Sequence, residues 1–358
     1  MLVSEVKRSK KMFKKFSNHY KRVFTPDVVY YEEQFMYGHR EALLHFSQEN
    51  NSKLDNTNIL LGSIDHGWYY SESIWKLRTK NPFKLANRYV WNDRQSELSN
   101  STYRTVAVGA PWLYMLNNLG LDPTNIDVRL PKSKNKVVIF PGHNTGFLFS
   151  FDLIGSIEEF KSLIPKNSEV TVCLFWLDFC DPSIRNAYQK QGWKVESVGA
   201  TIRGSQPDAL NGGRPTVLIE MFNLLKDASL FITDDISTGL FYALSLNLTV
   251  QFIETQSLKN FNEAWINYQR SSNPNALKNR KGFYSTGIDW ASNYFNEIFE
   301  TKSHPRKFLD FSWGELGYEA FKRNPKGEKF VWIPNQTKED SLLKYSNRLE
   351  EERSSLLN

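Results

Sequence analysis

The chain has 358 residues and a formal net charge of +6, and 40% of its residues are hydrophobic. That length predicts two domains of roughly 150 residues each, and the apolar content excludes wholesale disorder because sizeable cores can be buried. The two cysteines exclude a disulfide scaffold and a zinc site built on cysteines. Because no apolar run has transmembrane length and no secretory signal pattern is present, we expect a cytoplasmic protein.

The positive charge is concentrated near the N-terminus. Residues 7–22 contain eight bases and no acid, so the rest of the chain has 37 bases, 39 acids and a net charge of −2. We therefore predict a basic amphipathic helix over residues 1–24 that lies on an anionic membrane surface, where each base gains about 1 kcal/mol. A solvated tail or a helix docked on the protein body is the alternative. The apolar residues at helical spacing are Met12, Phe13, Phe16, Tyr20 and Val23.

Residues 25–120 are predicted to form an α/β domain, because short β-rich runs alternate there with helical periodicity. A proline at position 111 supports a helix start at that point. The polar, proline-containing stretch 121–135 lacks a clear period, so we interpret it as a linker. The expected elements of this domain are strands at 58–63 and 105–109 and helices at 31–46 and 111–118.

A second α/β series follows, and we assign residues 136–325 to a second domain and residues 326–358 to a helical tail. The alternation of strands and helices predicts a parallel sheet. The expected strands are 136–140, 169–176, 194–198, 229–233 and 248–253. The expected helices are 182–191, 216–228, 262–268, 290–300, 313–323 and 339–357.

Two α/β domains followed by helices match the outline of the GT-B fold of glycosyltransferases. In that fold two Rossmann-like domains face a cleft, and the C-terminal helices cross back to the first domain. The match at this level is an analogy of outline only. Ligands of open α/β sheets bind at the carboxyl ends of the strands, so the segments that follow the predicted strands are the candidate sites.

Several common site motifs are absent from the sequence. It contains no P-loop, no GxGxxG fingerprint, no GxSxG elbow, no HExxH and no D-x-D pair. The six histidines are scattered, so we expect neither a metal site nor a cofactor. Catalysis would then depend on carboxylates, single histidines and helix N-termini.

The first candidate segment follows the strand predicted at 58–63. Asp65 and His66, next to Gly67, are candidates for a general base that faces a cleft. The alternative is a plain turn, since aspartate favours turn entry and glycine supplies positive φ. Neighbouring aromatics such as Tyr89 and Trp91 suit stacking on sugar rings, although core packing explains most of them individually.

The second candidate segment follows the strand predicted at 136–140. His143, Asn144 and Thr145 combine polar side chains with flanking glycines, a pattern that can bind an anion. The alternative is a strand-to-helix turn in which Asn144 or Thr145 is only an N-cap.

The third candidate segment contains two aspartates with different expected roles. Asp181 precedes Pro182, which is the pattern of a helix N-cap. Asp178 follows an apolar strand and has apolar neighbours, where a carboxylate is costly unless it is paired or used. We therefore predict a catalytic role for Asp178.

The fourth candidate segment follows the strand predicted at 229–233 and opens an apolar helix. Hydroxyl groups and free N–H groups at a helix start can bind a phosphate, although Ser237 or Thr238 could also serve only as a cap. Arg203 could add positive charge to this site, and it could equally lie on the surface. The candidate nucleotide-binding residues of the segment are Thr233, Asp234, Ser237, Thr238 and Gly239.

The order of these segments resembles that of bacterial GT-B glycosyltransferases of capsule and lipopolysaccharide assembly that use CMP-activated sugars. The resemblance is strongest to the β-Kdo transferases, relatives of bacterial sialyltransferases. It implies that Ser237 and Thr238 bind the CMP phosphate and that Asp178 is the catalytic carboxylate. The matching stretches are DHGW (65–68), VGAPWLYML (108–116), VVIFPGHNTG (137–146), VCLFWLDFCDPSI (172–184), QGWKVESVGA (191–200), SLFITDDISTGLFYAL (229–244) and FSWGELGYEAF (311–321).

We therefore expect a metal-independent glycosyltransferase that moves Kdo or another ulosonic acid from a CMP-sugar to a glycan or glycolipid acceptor. The second domain would bind the donor and the first domain the acceptor, with the enzyme peripheral on the inner membrane. A UDP- or GDP-sugar donor and a non-catalytic glycan-binding module are the alternatives. No nucleic-acid partner is expected, because such proteins usually spread positive charge along a groove.

Overall fold

The structure is a computed structural model, and the account below is confined to the residues that it describes. Four of the predicted segments lie outside those residues: the N-terminal helix at 1–24, most of the linker at 121–135, and the helices at 262–268 and 290–300. The described residues are 36–65, 67, 87–98, 104–123, 133, 135–143, 152–198, 202–203, 206–207, 216–235, 237–260, 313–333 and 341–357.

Twelve strands and ten helices are bounded within the described residues. The strands are β1 (Ile59–Leu60), β2 (Gly62–Ile64), β3 (Asn87–Val90), β4 (Arg104–Ala107), β5 (Lys136–Phe140), β6 (Glu169–Cys173), β7 (Lys194–Glu196), β8 (Ile202–Arg203), β9 (Gln206–Pro207), β10 (Leu230–Thr233), β11 (Thr249–Phe252) and β12 (Trp332–Ile333). The helices are α1 (His39–Gln48), α2 (Asp93–Leu98), α3 (Pro111–Asn118), α4 (Ile157–Lys161), α5 (Trp176–Phe179), α6 (Pro182–Gln189), α7 (Val217–Leu225), α8 (Thr238–Ser245), α9 (Tyr318–Lys322) and α10 (Ser341–Leu357).

The main sheet has five parallel strands in the order β11-β10-β5-β6-β7. The chain enters at the central strand β5, adds β6 and β7 on one side, and then returns to add β10 and β11 on the other. This order is compatible with a Rossmann-like α/β fold, and it places the topological switch point between β5 and β10. Phe140 pairs with Thr233, so these two strands end at the same level.

Both faces of the main sheet are covered by apolar side chains. Val138 and Phe231 face one cluster, which includes side chains of α7 and α8. Ile139 and Ile232 face the other cluster, which includes side chains of α4 and α6. A parallel sheet buried on both faces explains why its strands have near-continuous apolar runs in the sequence.

A smaller sheet has three parallel strands in the order β2-β3-β4. The strand predicted at 58–63 is interrupted at Leu61, and its first half, β1, pairs instead with β12 near the C-terminus. Gly62 has φ +145°, and a Cβ atom there would lie 2.1 Å from the Asn87 carbonyl oxygen. The absence of a side chain at Gly62 therefore permits the close approach of β2 and β3.

The two sheets share one continuous apolar cluster. It joins side chains of α1 and α3, beside the small sheet, to those of α7 and α8 on the main sheet, and it includes Tyr345 of α10. The Asn118 amide donates to the Ala42 carbonyl oxygen at 2.8 Å and contacts the Tyr345 hydroxyl at 3.1 Å. The C-terminal helix thus returns to the first part of the chain. No helix of the described residues combines the length and apolarity that a membrane span requires.

Candidate functional site

The loops that follow β5 and β10 are joined at the switch point by Asp234. This carboxylate is fully buried. It accepts hydrogen bonds from the Gly142 N–H at 2.6 Å and from the Thr255 hydroxyl at 2.9 Å. Burial raises the pKa of Asp234 to about 6, in spite of these two hydrogen bonds. Both oxygens thus bond to protein groups, so within the predicted nucleotide site Asp234 holds three loops together.

Thr233 fixes the turn that follows β10. Its buried hydroxyl donates to the Asp235 carbonyl oxygen at 2.9 Å and accepts from the Asp235 N–H at 3.1 Å. This predicted nucleotide-binding residue therefore bonds to its own loop, and it determines where the Asp235 side chain points. Asp235 was not singled out from the sequence, because its role depends on a neighbour across the sheet.

His143, which follows β5, is the neighbour of Asp235 across the sheet. Its Nδ1 atom lies 3.7 Å from the Asp235 carboxylate, and both side chains are partly exposed. The His143 ring also packs against Phe175, with 4.7 Å between the ring centroids. Burial lowers the pKa of His143, but the carboxylates of Asp235 and Asp178 outweigh burial and raise it above its ordinary value. The switch point therefore offers an imidazole whose cationic form is favoured by two carboxylates.

Asp178 lies in the short helix α5 and not directly after a strand. β6 ends at Cys173, three residues earlier than predicted, and Trp176 begins the helix. The Asp178 side chain is buried, and its charge acts on both His143 and Tyr188. The predicted catalytic carboxylate is therefore close to the His143 side of the switch point.

Asp181 has the structural role expected for it. It is the N-cap of α6, and its carboxylate accepts from the Ser183 N–H at 2.8 Å. Pro182 occupies the first helical position. The prediction that Asp181 is a helix cap is confirmed.

The start of α8 contains a buried hydroxyl that has no bonding partner. Ser237 is the N-cap residue, with the extended backbone angles φ −103° and ψ 167°, but its side chain makes no capping hydrogen bond. Its Oγ atom is buried and has no hydrogen-bond partner among the described residues. A buried hydroxyl normally finds a partner, so this one is suited to donate to a ligand.

Gly239 follows in the first turn of α8 and packs against the end of β5. A Cβ atom at Gly239 would lie 2.9 Å from Cε1 of Phe140. The glycine therefore lets the helix start approach the sheet closely. This close approach brings the α8 N-terminus to the switch point.

The loop after β2 approaches α8 from the small sheet. Gly67 is buried, and a Cβ atom there would lie 3.0 Å from the Thr238 hydroxyl. The candidate acceptor segment and the candidate phosphate-binding helix thus meet at Thr238. In the same helix, the Tyr242 ring stacks with the rings of Trp91 and Trp112, at centroid distances of 6.5 Å and 4.1 Å.

Asp65 is held in place by residues of β3 and the segment after it. The Arg88 guanidinium donates to the Asp65 carboxylate at 3.2 Å, and both side chains are buried. The Trp91 indole N–H donates to the Asp65 carbonyl oxygen at 3.0 Å. Asp65 and Arg88 thus form a buried ion pair beside the small sheet. Tyr89 and Trp91 are completely buried, so they are core residues and do not form a sugar-stacking surface.

The described part of the structure does not place the remaining candidate residues at this site. His66, Asn144 and Thr145 lie outside them. Arg203 lies in β8, which pairs only with β9 in an antiparallel hairpin, and its side chain is likewise outside the description. Within the described parts of the chain, no group of three or more His, Cys, Asp or Glu side chains has the geometry to hold a metal ion.

Comparison of the chain with protein-family models, curated proteins and solved structures gave no match. The geometry of the switch point is therefore the basis for inferring a function.

Proposed function

We propose that the protein is a metal-independent glycosyltransferase of GT-B type that transfers a sugar, such as Kdo or another ulosonic acid, from a CMP-sugar to a glycan or glycolipid. The observation that supports it most directly is the buried, unpartnered Ser237 hydroxyl at the N-terminus of α8. The resemblance of the ordered sequence stretches to those of CMP-sugar transferases supports the same proposal.

A phosphate fits the start of α8 for two physical reasons. The first N–H groups of a helix have no intrahelical acceptor, and the helix dipole adds partial positive charge there. The hydroxyls of Ser237 and Thr238 add two donors at the same place. The helix begins just beyond β10, at the sheet edge where α/β proteins bind nucleotides.

In this proposal the main sheet binds the donor and the small sheet binds the acceptor. Asp178 stabilises the positive charge that develops on the donor sugar as CMP leaves, or it attacks the sugar to form a glycosyl-enzyme intermediate. Asp65 or His66 removes the proton from the acceptor hydroxyl. The contact between Gly67 and Thr238 supports this division, since it places the two segments next to each other.

Calorimetric titration with CMP, UDP and GDP tests the proposal. CMP is expected to bind most tightly, and the double variant Ser237→Ala, Thr238→Ala is expected to bind it more weakly by roughly 1–3 kcal/mol, the scale for lost hydrogen bonds to a charged group. Ser156→Ala is the control, because Ser156 is the N-cap of a different helix, α4, and its hydroxyl already donates to the Asp152 carbonyl oxygen.

Three outcomes would count against the proposal. If the double variant binds CMP as tightly as the parent, the start of α8 is not the phosphate site. If UDP or GDP binds more tightly than CMP, the donor is a different nucleotide sugar. If no nucleotide binds and a glycan does, the protein is a binding module.

A further inference from the structure

We propose that Asp235 is a positioning residue, which orients His143 so that an imidazolium meets the anionic phosphate of the donor beside Asp178. The inference rests on the proposed function, because it names how the same site recognises its nucleotide. Neither Asp235 nor this pairing follows from the sequence.

The backbones that bear the two side chains are fixed relative to each other. Phe140 and Thr233 are register partners on adjacent parallel strands, so His143 and Asp235 leave the sheet at the same edge. The Gly142 N–H is bonded to the Asp234 carboxylate, which ties the residue before His143 to the end of β10. Two hydrogen bonds with the Thr233 side chain hold the Asp235 backbone. The pair is therefore built into the switch point.

The surroundings of His143 favour its cationic form. Asp235 lies 3.7 Å from Nδ1, on the loop after β10, and Asp178 acts on the ring from α5. Phe175 packs against the ring and limits its rotation. Because Asp235 lies beside Nδ1, the N–H group at the other ring nitrogen, Nε2, can donate to a ligand. Both side chains are partly exposed, so a ligand has access to the pair.

The position of the pair matches the proposed donor site. Asp235 is two residues before Ser237, whose buried hydroxyl has no partner. A phosphodiester bound at the start of α8 would carry one negative charge, and a charge-assisted hydrogen bond from His143 would strengthen its binding. As the sugar departs, the phosphate gains negative charge, and the same cation stabilises it.

The first experiment measures the protonation of His143 itself. Proton NMR of the full chain, with the His143 signal identified from its loss in His143→Gln, gives the titration midpoint. Asp235→Asn is expected to lower that midpoint by about one pH unit, since an opposite charge is removed from the imidazolium. Asp181→Asn is the matched control, because it removes a carboxylate near α5 while asparagine preserves the N-cap of α6.

The second experiment measures nucleotide affinity against pH. The probe is cytidine 5′-(methyl phosphate), a phosphodiester whose own charge does not change near neutral pH. Its affinity for the parent is expected to fall roughly tenfold as the pH rises through the His143 midpoint, since a charge-assisted bond is lost. In Asp235→Asn this fall is expected at a lower pH, and in Asp181→Asn it is expected to stay where the parent has it.

The inference would be overturned if the titration midpoint of His143 were the same in Asp235→Asn as in the parent. It would also be overturned if the probe affinity of Asp235→Asn and that of the parent depended on pH in the same way. If Asp235→Asn does not fold, Asp235→Ser supplies the same comparison. Failure of the proposed function has a different signature, since the parent would then bind no nucleotide at any pH. The midpoint comparison by NMR would still decide whether Asp235 acts on His143.

Discussion

Gly67 lies so close to the Thr238 hydroxyl that it leaves little room for a side chain, so the loop of the small sheet meets the helix start that we assign to the donor phosphate. A Cβ atom at Gly67 would lie 3.0 Å from Thr238 Oγ1, which is closer than ordinary van der Waals contact. Any group added at Gly67 must therefore displace Thr238 or the loop. This proximity links the segment that we assign to the acceptor with the one that we assign to the donor.

Gly67→Ala is accordingly expected to weaken CMP binding and to destabilise the protein by about 1–3 kcal/mol, the usual cost of overpacking. Calorimetry and urea unfolding measure the two effects. Gly314→Ala is the control, because a Cβ atom at Gly314 meets nothing within 4 Å. If Gly67→Ala binds CMP as the parent does, Thr238 does not contribute to the phosphate site in the proposed way.

The buried Asp234 predicts a specific dependence of stability on pH. Burial raises its pKa from 3.8 to about 6, so the folded state binds the proton more tightly than the unfolded state does. The stabilisation from this proton is complete below pH 3.8 and is lost as the pH rises through about 6. The difference between the pKa values of Asp234 in the folded and unfolded states corresponds to about 3 kcal/mol of stability.

Asp234→Asn removes this titration and preserves the shape of the side chain. The free energy of unfolding of the variant, relative to that of the parent, is expected to increase by about 2 kcal/mol between pH 4 and pH 7. Urea unfolding across this range measures it. Asp152→Asn is the control, since Asp152 is an exposed aspartate that also accepts a backbone N–H, from Gly155. A constant difference between Asp234→Asn and the parent would contradict the prediction.

Elements whose signals are local could be predicted from the sequence. The helix at 111–118 has the predicted bounds, because Pro111 sets its start. α6 begins where Asp181 and Pro182 predict it. β3 was missed, because the sequence NRYV alternates poorly and its polar residues are buried only through distant partners. One such partner is Asp65, which Arg88 contacts across the small sheet.

The candidate site shows the same division between local and distant information. The segments at strand ends were recognisable, because glycines and polar residues interrupt apolar runs. The pairing of His143 with Asp235 could not be recognised from the sequence, because it requires that β5 and β10 are neighbours in the sheet. Gly142 and Asp234, which follow these two strands, are 92 positions apart in the chain. Strand order arises from the packing of the whole domain, and no local pattern encodes it.

The basic segment at residues 7–22 predicts salt-dependent membrane binding. Removal of residues 1–24 is expected to leave a folded protein that no longer sediments with anionic vesicles. Binding of the intact chain is expected to weaken as salt rises, because charges are screened within about 10 Å at 0.1 M. Vesicle sedimentation at several salt concentrations measures both effects, with neutral vesicles as the control. Equal sedimentation of the two forms would exclude this segment as the membrane contact.

Asp178 is the residue whose loss should affect the chemical step far more than nucleotide binding. It is buried and acts electrostatically on His143, whereas the hydroxyl that we assign to the phosphate is that of Ser237, which has no hydrogen-bond partner among the described residues. Asp178→Asn is therefore expected to fold and to bind CMP, but to lose sugar transfer by orders of magnitude, since a neutral amide cannot stabilise or attack a developing oxocarbenium ion. A transfer assay with CMP-Kdo and a lipid-linked glycan measures the loss.

Asp181→Asn is the matched control for that assay, because it lies three residues away and keeps its capping ability as asparagine. It is expected to transfer sugar at nearly the rate of the parent. Mass spectrometry of the intact parent after addition of the donor separates the two roles open to Asp178. A sugar adduct that is absent from Asp178→Asn identifies the carboxylate as the nucleophile, and activity without an adduct identifies it as an electrostatic or general-base residue. Near-normal turnover by Asp178→Asn would refute both roles.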